Sequence, residues 1–276
     1  MVRRVSHDQF CARDVKFSKY HGLGNSYIVV DGRQVAAHLT WEAFARQICH
    51  TGYGIGSDGL LVDCSVDGFA IRIFNPDGSE AEKSGNGLRI FARWLWDTGR
   101  VTDLPFRVGT AGGPVQCQVL EQNQLVQVQM GQVHVVAVFE AVSVQDQTLD
   151  CTVVNVGNPH CVVFSQTVDK TTALTLGPLV EMHQRFPLRT NVQFVRVMDR
   201  NNVAIEIWER GAGYTLSSGS SSCAVVAACR ERNLCDDSVT VHMPGGALEV
   251  AISPDLNATL TGKVARICTG WYRTGS

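Results

Sequence analysis

The 276-residue chain lacks an excess of either charge, since 24 Lys and Arg stand against 26 Asp and Glu. A strong net charge of one sign favours binding to nucleic acid or to an anionic membrane surface, so we expect neither partner. The chain also lacks an apolar run approaching the roughly 20 residues that span a bilayer, and residues 1–16 lack the apolar core of a signal peptide. We therefore expect a cytoplasmic protein, without a membrane partner, that binds a small molecule.

Metal-binding patterns are missing as well. The ten cysteines are dispersed without a Cys-x-x-Cys pair, and the eight histidines include no His-Glu-x-x-His motif. These cysteines are expected to be reduced and mostly buried, because a free thiol packs as a small apolar group. Residues 54–59 have the letters of a dinucleotide-binding loop, but they follow a predicted helix and precede a predicted strand, the reverse of what phosphate binding needs. The sequence thus implies no metal and no cofactor, and it predicts a tight turn at 54–59.

What the chain does contain is a duplication, because several motifs recur about 134 positions later. Residues 71–75 precede Ser84-Gly85, and the similar residues 205–209 precede Ser218-Gly219. A repeat this long indicates two duplicated domains rather than a solenoid, and a chain of this length exceeds the usual size of one core. We predict an α/β fold with domains at 1–131 and 132–276, in which strands wrap one central apolar helix in each half.

Local patterns place the elements. Strands are predicted around a glycine turn in residues 15–31, at 60–62, at 71–74, over 108–119 and at 125–130, with a helix over 41–50. The first central helix follows Ser84 and ends near Gly99, where a left-handed cap favours glycine. The second runs from about 220 to 232, and strands near 239–242 and 247–252 follow it. The first 15 residues are predicted to be a frayed extension.

Each Ser-Gly pair stands where a helix begins, and the unpaired backbone N–H groups of a helix N-terminus attract an anion. The small residues after each serine let a ligand carboxylate approach these amides; they are Gly85 and Asn86 in the first half and Gly219 and Ser220 in the second. The simpler alternative is that Ser84 and Ser218 only cap their helices. Their equivalent places in the repeat, with Asn75 and Glu209 nine residues upstream, favour one shared site.

Two further residues indicate the chemistry of the ligand. Glu209 and Arg210 precede the bare turn Gly211-Ala212-Gly213, where a carboxylate can hold an amino group and a guanidinium can hold a carboxylate. That combination suits an amino acid. An alternative is that His160 orients Ser218 as a hydrolase nucleophile, but no Gly-x-Ser-x-Gly elbow surrounds this serine. Cys223 lies beyond the first turn of its helix and is predicted to be a core residue.

Together these motifs resemble the diaminopimelate epimerase family, a group of cofactor-independent racemases, from Phe17 to Trp271. The matching strings are Lys19-Tyr20-His21-Gly22-Leu23-Gly24-Asn25, Phe74-Asn75-Pro76-Asp77-Gly78-Ser79-Glu80, Ser84-Gly85-Asn86-Gly87, Gly157-Asn158-Pro159-His160, Glu209-Arg210-Gly211-Ala212-Gly213 and Met243-Pro244-Gly245-Gly246. The resemblance implies two pseudo-symmetric halves, each a curved mixed sheet round a central helix, that close over an amino acid. It also implies a homodimer and a last strand, at about 266–276, that crosses back to the first domain.

The resemblance also implies roles for individual residues. The substrate contacts would be Asn25, Asn75, Asn158, His160, Asn191, Glu209 and Arg210, and the α-carboxylate would be held by Gly85, Asn86, Gly219 and Ser220. The family's two catalytic cysteines, one for each face of the α-carbon, fall on Ser84 and Ser218. A thiol has a pKa of about 8.5 that a helix N-terminus can lower, whereas an alcohol starts several units higher. The two serines are therefore expected to be weak bases unless another group activates them.

Three functions remain open at this point. The first, which we favour, is an isomerase whose serines, assisted by His160 or Glu209, exchange the α-proton of diaminopimelate or a similar long polar amino acid. The second is elimination or other one-sided chemistry on the same scaffold. The third is a binding protein, or a double Cys-to-Ser variant, with an inactive site. Ser26 and Tyr214 stand where the family usually has acidic residues, and Lys83 lies beside Ser84, which indicates a divergent branch.

Overall fold

The computed structural model describes residues 14–35, 40–120 and 125–274. The first half contains β1 (Asp14–Gly22), β2 (Asn25–Asp31), α1 (Trp41–Ile48), β3 (Leu60–Asp63), β4 (Phe69–Phe74), β5 (Glu80–Ala81), α2 (Gly85–Asp97), β6 (Phe106–Thr110), β7 (Gly113–Leu120) and β8 (Leu125–Gln132). The rest contains β9 (His134–Val144), β10 (Gln147–Asn155), β11 (Pro159–Phe164), α3 (Lys170–Glu181), β12 (Asn191–Asp199), β13 (Asn202–Glu209), β14 (Gly213–Thr215), α4 (Gly219–Glu231), β15 (Ser238–Met243), β16 (Gly246–Ile252), β17 (Asn257–Lys263) and β18 (Ala265–Arg273).

The two halves pair their strands in the same order. In the first, β18, β1 and β2 are antiparallel neighbours, β2 runs parallel to β3, β3 is antiparallel to β4, and β4 runs parallel to β6, which continues through β7 to β8. The second repeats every step with β9, β10, β11, β12, β13, β15, β16 and β17. An antiparallel pairing of β8 with β17 joins the halves at the centre. The duplication in the sequence is therefore also a duplication of topology, in a mixed sheet.

The outermost strand of the first half comes from the other end of the chain. β18 pairs with β1 in the register Lys16 to Trp271 and Phe17 to Gly270. A Cβ on Gly270 would lie 3.0 Å from the ring of Phe17, so the close approach of these two strands depends on glycine. Because β9 holds the matching place in the second half, the first structural unit is discontinuous in sequence.

The core is built round α2 and α4, which share one continuous cluster of buried side chains. On α2, Leu88, Phe91 and Leu95 are fully buried, as their spacing predicts. Burying one such side chain contributes about 2 kcal/mol. Smaller clusters lie outside this core, where α1 packs in the first half and α3 in the second. The predicted central helix in each half is thus confirmed. No helix within the described ranges has the length and apolar character to cross a bilayer.

One predicted strand is interrupted. Residues 108–119 form the ends of β6 and β7, with a turn between them rather than a continuous strand. Gly113 adopts a φ of 94°, which favours glycine, and the Thr110 hydroxyl donates a hydrogen bond of 2.7 Å to the Gly113 carbonyl. The prediction of a single strand was wrong because a hairpin keeps the strand pattern on both sides of a short turn.

Two further predictions concern the ends of elements. Residues 54–59 form a turn between α1 and β3, as predicted, with Gly56 at a φ of 73°. The frayed extension proposed for residues 1–15 falls largely outside the described residues. Its last two positions, Asp14 and Val15, already belong to β1.

Candidate active site

Both helices that begin at a Ser-Gly pair are capped by the serine itself. The backbone N–H of Gly87 donates to the Ser84 hydroxyl at 3.0 Å, and that of Ser221 donates to the Ser218 hydroxyl at 3.4 Å. Ser84 and Ser218 have nearly the same extended backbone, with φ of −143° and −148°. Both serines therefore cap their helices, as the simpler alternative predicts. Each hydroxyl also lies at the positive end of a helix dipole.

The two helix N-termini touch each other. A Cβ on Gly219 would lie 3.4 Å from the Cα of Gly85 and 2.9 Å from Cδ2 of Leu260. A Cβ on Gly85 would lie 3.2 Å from the same Leu260 atom. A side chain at either position would crowd Leu260, so the two glycines let both helix starts pack against that residue. Both sets of free N–H groups are thereby directed to one region between the halves.

Tyr27 on β2 lies beside Ser84. Its phenol oxygen is 3.2 Å from the Ser84 hydroxyl oxygen, and its side chain is 7% exposed. Burial raises the pKa of Tyr27 to about 12, the Ser84 hydroxyl acts in the opposite direction, and the charges of Glu209 and Asp58 raise the pKa further.

Glu209, the last residue of β13, accompanies Ser218. Burial raises the pKa of its carboxyl, and an interaction with the Ser218 hydroxyl lowers it. Ser218 is only 4% exposed, and its oxygen lies 3.5 Å from the hydroxyl oxygen of Ser220. A carboxylate with a raised pKa can accept a proton more readily than an exposed one. The Glu209 carboxyl is therefore a candidate base on the Ser218 side of the site.

Asn25 and Asn86 are brought together by a hydrogen bond network that the sequence did not predict. The Asn86 amide donates to Oδ1 of Asn25 at 3.0 Å and to the carbonyl of Ser217 at 3.3 Å. Arg89 donates to the amide oxygen of Asn86. Burial lowers the pKa of Arg89 to about 10, and among the described residues its Nε and Nη1 have no hydrogen bond partner. The one sequence signal was an arginine in a helix with no acidic residue within a turn.

His160 lies fully buried beneath the second half of the site. Its Nε2 donates to the amide oxygen of Asn158 at 2.8 Å, and its Nδ1 accepts from the Gln193 amide at 3.1 Å. Gln193 also donates to the Ser221 hydroxyl at 2.9 Å. Burial lowers the pKa of His160 to about 3, so the ring is neutral. The expectation that His160 assists Ser218 directly is not met, because both ring nitrogens are engaged elsewhere. Gln193 was missed by the sequence analysis.

The remaining predicted contacts lie at the ends of strands. Asn191, at the start of β12, accepts from the backbone N–H of Arg210 at 3.0 Å and donates to the carbonyl of Pro159 at 2.9 Å. The exposed Arg210 guanidinium donates to the Leu188 carbonyl at 3.2 Å. Asn75 lies in the turn after β4 and donates to the Ser79 hydroxyl at 2.9 Å. Asn191 and Arg210 are therefore linked, whereas Asn75 belongs to a turn of its own.

Ser26, Tyr214 and Lys83, which the sequence analysis noted as signs of a divergent branch, each form a defined hydrogen bond. Ser26 donates to Asp58 through its backbone N–H at 2.7 Å and its hydroxyl at 3.0 Å. Tyr214 donates to Glu206 at 2.8 Å. Ser26 and Tyr214 thus bind neighbouring acidic groups instead of supplying them. The amine of Lys83 donates to the Met130 carbonyl at 2.8 Å, which directs it away from the hydroxyl of the adjoining serine.

Away from the two serines, the described residues contain a surface cavity but no group arranged as a metal site. In residues 14–35, 40–120 and 125–274, no group of three or more His, Cys, Asp or Glu is arranged to hold a metal ion. A surface cavity of about 600 Å³ lies at the far end of α4 from Ser218, and its lining includes the ion pairs Arg200–Asp236 and Arg230–Asp237. Because α4 has 13 residues, roughly 20 Å of helix separates that cavity from the serines.

Comparison with known proteins gives the same family over almost the whole chain. The family model described as "Diaminopimelate epimerase" matches residues 17–136 and 152–267. "Diaminopimelate epimerase 2" of Nostoc sp. is 44% identical over 275 residues, covering 94% of this chain and 96% of the relative. "Diaminopimelate epimerase" of Synechocystis sp. is 38% identical over 274 residues, covering 93% and 98% of the two chains.

Solved structures with low sequence identity share the fold. A hydroxyproline epimerase from Agrobacterium vitis superimposes with a TM-score of 0.73 at 15% identity, covering 96% of this chain and 94% of that one. A phenazine biosynthesis protein of the PhzF family from Bacillus anthracis gives a TM-score of 0.71 at 13% identity, with coverages of 94% and 98%. At these identities the similarity concerns the fold alone.

Proposed function

The chain belongs to the diaminopimelate epimerase family and is an isomerase, and we propose that it inverts the α-carbon of diaminopimelate or a similar long polar amino acid, with Ser84 and Ser218 on opposite faces of that carbon. The observation that carries the proposal is the contact between the N-termini of α2 and α4, each of which presents one serine hydroxyl. A cytoplasmic homodimer, expected from the sequence and the family, forms part of the proposal. So does the domain boundary at residue 131, with β18 assigned to the first domain.

Substrate binding follows from the charges. The α-carboxylate lies against the free amides of Gly85, Asn86, Gly219 and Ser220, where two helix dipoles converge on one anion. Glu209 receives the amino group, since a carboxylate is the natural partner of an ammonium ion. The distal polar end meets the side chains of Asn25, Asn75, Asn158, Asn191 and Arg210. His160 supports this group from below by holding Asn158.

The chemistry is a two-step proton transfer. The α-proton moves to the Ser218 oxygen while the hydroxyl proton of Ser218 moves to Glu209, whose raised pKa suits it as the acceptor. The electron pair left on the α-carbon spreads into the carboxylate, where the helix amides stabilise the added charge. Ser84 then gives a proton to the opposite face. Glu209 thus activates a hydroxyl that would otherwise be a weak base.

One-sided chemistry on the same scaffold is the second candidate. The observation that favours it is the asymmetry of the two serines, because Ser218 has a carboxylate beside it and Ser84 has a phenol. An enzyme that only removes a proton needs one base. Such an enzyme would carry out elimination on a substrate with a leaving group next to the α-carbon.

Deuterium exchange distinguishes these possibilities. The purified protein, free of pyridoxal phosphate and added metal, is incubated in D₂O with diaminopimelate and with a panel of other amino acids. We expect deuterium at the α-carbon of diaminopimelate together with its other stereoisomer, both observed by NMR and chiral chromatography. Deuterium without inversion, or an unsaturated product, would favour one-sided chemistry. No incorporation into any amino acid would exclude the proposal and leave a binding protein.

A pair of substitutions tests the place of the serines. Changing Ser84→Cys and Ser218→Cys together should raise the exchange rate, since a thiol at a helix N-terminus ionises far more readily than an alcohol. Ser222→Cys is the control, because this serine is buried within α4, where its hydroxyl donates to the Ser218 carbonyl. An increase with the control but not with the pair would contradict the assignment.

A further inference from the structure

Tyr27 occupies in the first half the position that His160 occupies in the second. Both stand three residues after a glycine with a φ of 86°, Gly24 in one case and Gly157 in the other, and both lie near the start of the strand that follows. Their partners differ. His160 bonds to Asn158 and to a glutamine, whereas the Tyr27 phenol lies 3.2 Å from the Ser84 hydroxyl. One member of this equivalent pair therefore reaches a proposed catalytic oxygen, and the other does not.

The hydrogen bonds round Ser84 are compatible with a proton relay that begins at Tyr27. The backbone N–H of Gly87 donates to the serine oxygen at 3.0 Å. Within the described parts of the chain, Ser84 is the one hydrogen bond partner of the Tyr27 phenol, so a buried phenol that donates must donate there. With both donors directed at its oxygen, Ser84 has its O–H left to point away from them.

The position of the Tyr27 ring is closely restrained. A Cβ on Gly59 would lie 2.8 Å from Cδ1 of Tyr27, so the ring packs directly on the backbone at that glycine. The neighbouring Asp58 is held by the backbone N–H and the hydroxyl of Ser26, which comes immediately before Tyr27 in β2. The phenol thus has little freedom to leave Ser84, which is what a proton path through two fixed oxygens needs.

We propose that Tyr27 is a positioning residue that relays its phenolic proton through Ser84 to the substrate, an inference that rests on the function proposed above. As the new C–H bond forms, the O–H bond of Ser84 breaks and the Tyr27 proton moves to the serine oxygen. The electron pair on the α-carbon becomes the new C–H bond, the pair of the broken Ser84 O–H bond takes up the Tyr27 proton, and the negative charge ends on the phenol oxygen. Catalysis in the reverse direction runs the same transfers backward. Glu209 serves the other face, where it receives a proton through Ser218.

The relay explains how a serine can act here as an acid. Without Tyr27, the transfer would leave an alkoxide on Ser84. A phenolate is the more stable anion even in this site, where burial raises the pKa of Tyr27 to about 12, because an alcohol remains several units less acidic. The helix amide of Gly87 donates to the Ser84 oxygen, so it stabilises that oxygen while it carries part of the charge during the transfer.

The first experiment compares Tyr27→Phe in two backgrounds. In the parent protein, we expect epimerisation to fall by about 100-fold or more, which is the usual contribution of an acid or base. Deuterium should still enter the α-position with retention of configuration, because Ser218 and Glu209 are intact. In a Ser84→Cys background, the same change should cost less than about threefold, since a thiol gives up its own proton. An equal loss in both backgrounds would show that the phenol acts only by packing.

The matched control is Tyr20→Phe. Tyr20 is another buried tyrosine of the same sheet, and its phenol donates to Asp97 at 2.9 Å, at the opposite end of α2 from Ser84. Its loss removes a buried hydrogen bond but should leave the ratio of exchange to inversion unchanged. If Tyr20→Phe separated exchange from inversion as Tyr27→Phe does, the relay would be wrong.

A second measurement does not depend on turnover. Tyrosine labelled with ¹³C at Cζ reports the hydrogen bonding of the phenol by NMR, and the Tyr27 signal is the one missing from Tyr27→Phe. Ser84→Ala should shift this signal, whereas Ser84→Cys should shift it less. A parent protein without exchange activity would refute the proposed function, whereas an unchanged Tyr27 signal in Ser84→Ala would refute the pair itself.

Discussion

The buried His160 should make the stability of the protein depend on pH in a way that one substitution can isolate. In the folded protein, burial lowers the pKa of His160 from 6.5 to about 3. The unfolded chain therefore binds a proton between these values while the folded chain does not. Stability that is fully present above pH 6.5 is lost as the pH falls toward 3. His160→Gln keeps a donor and an acceptor for the neighbours and removes the titration.

The size of the effect follows from the two pKa values. Between pH 7 and pH 5, the proton taken up by the unfolded chain should lower the free energy of unfolding by about 2 kcal/mol. The ring is fully buried, so solvent does not screen this effect. Urea unfolding followed by circular dichroism at pH 7, 6 and 5 gives this free energy for both proteins. The difference between parent and His160→Gln should shrink by that amount as the pH falls.

A control and a refuting result complete the test. His134→Gln removes an exposed histidine at the start of β9 and separates the loss of a histidine from the loss of a buried one. If the parent and His160→Gln lost stability in parallel from pH 7 to pH 5, His160 would not be held neutral by burial. The network through Asn158 and Gln193 would then need another explanation.

Two more changes test the contacts at the site. Gly219→Ala should lower the unfolding free energy by about 1–3 kcal/mol, since the added Cβ would lie 2.9 Å from Leu260. Thermal denaturation measures this loss. Gly109→Ala is the control and should have a smaller effect, because the nearest neighbour of its Cβ is 3.6 Å away. Glu209→Gln should keep or raise the unfolding free energy, because it removes a charge that burial disfavours, while lowering α-proton exchange by at least about 100-fold. If exchange and stability fell together, Glu209 would be structural.

The elements nearest the site are also those that the sequence predicts best. In α2 and α4, the serine cap and the apolar residues are only a few positions apart, so interactions between near neighbours in the sequence are enough to define each helix. Helix α3 was not predicted, because its sequence contains threonines together with Gly177 and Pro178, which disfavour helices. It forms because Gly177 packs on Trp208: a Cβ there would lie 2.6 Å from that side chain, a contact with a distant strand.

The same distinction applies to the candidate site. The serines and the glycines beside them could be found from motifs that recur in each half, and the asparagines from the resemblance to a known family. The partners of those groups could not, since Tyr27 is 57 positions from Ser84 and Gln193 is 33 positions from His160. In the sequence, a tyrosine of a buried strand cannot be distinguished from an ordinary core residue, because only the fold shows that a hydroxyl lies beside it. Sequence patterns thus predicted the candidate reacting groups, but not the groups that lie beside them.

The duplication makes the backbone of the site symmetric, but two pairs of equivalent positions carry different residues in the two halves. In one pair, Tyr27 reaches a serine and His160 does not. In the other, Asn75 lies in a turn while Glu209 lies beside Ser218. In the proposed mechanism, one hydroxyl therefore has a carboxylate that accepts its proton, and the other has a phenol that supplies one. Serines cannot share the two roles as interchangeable thiols can, so the proposed epimerase needs a different partner for each face, and Glu209 and Tyr27 are the candidates for these partners.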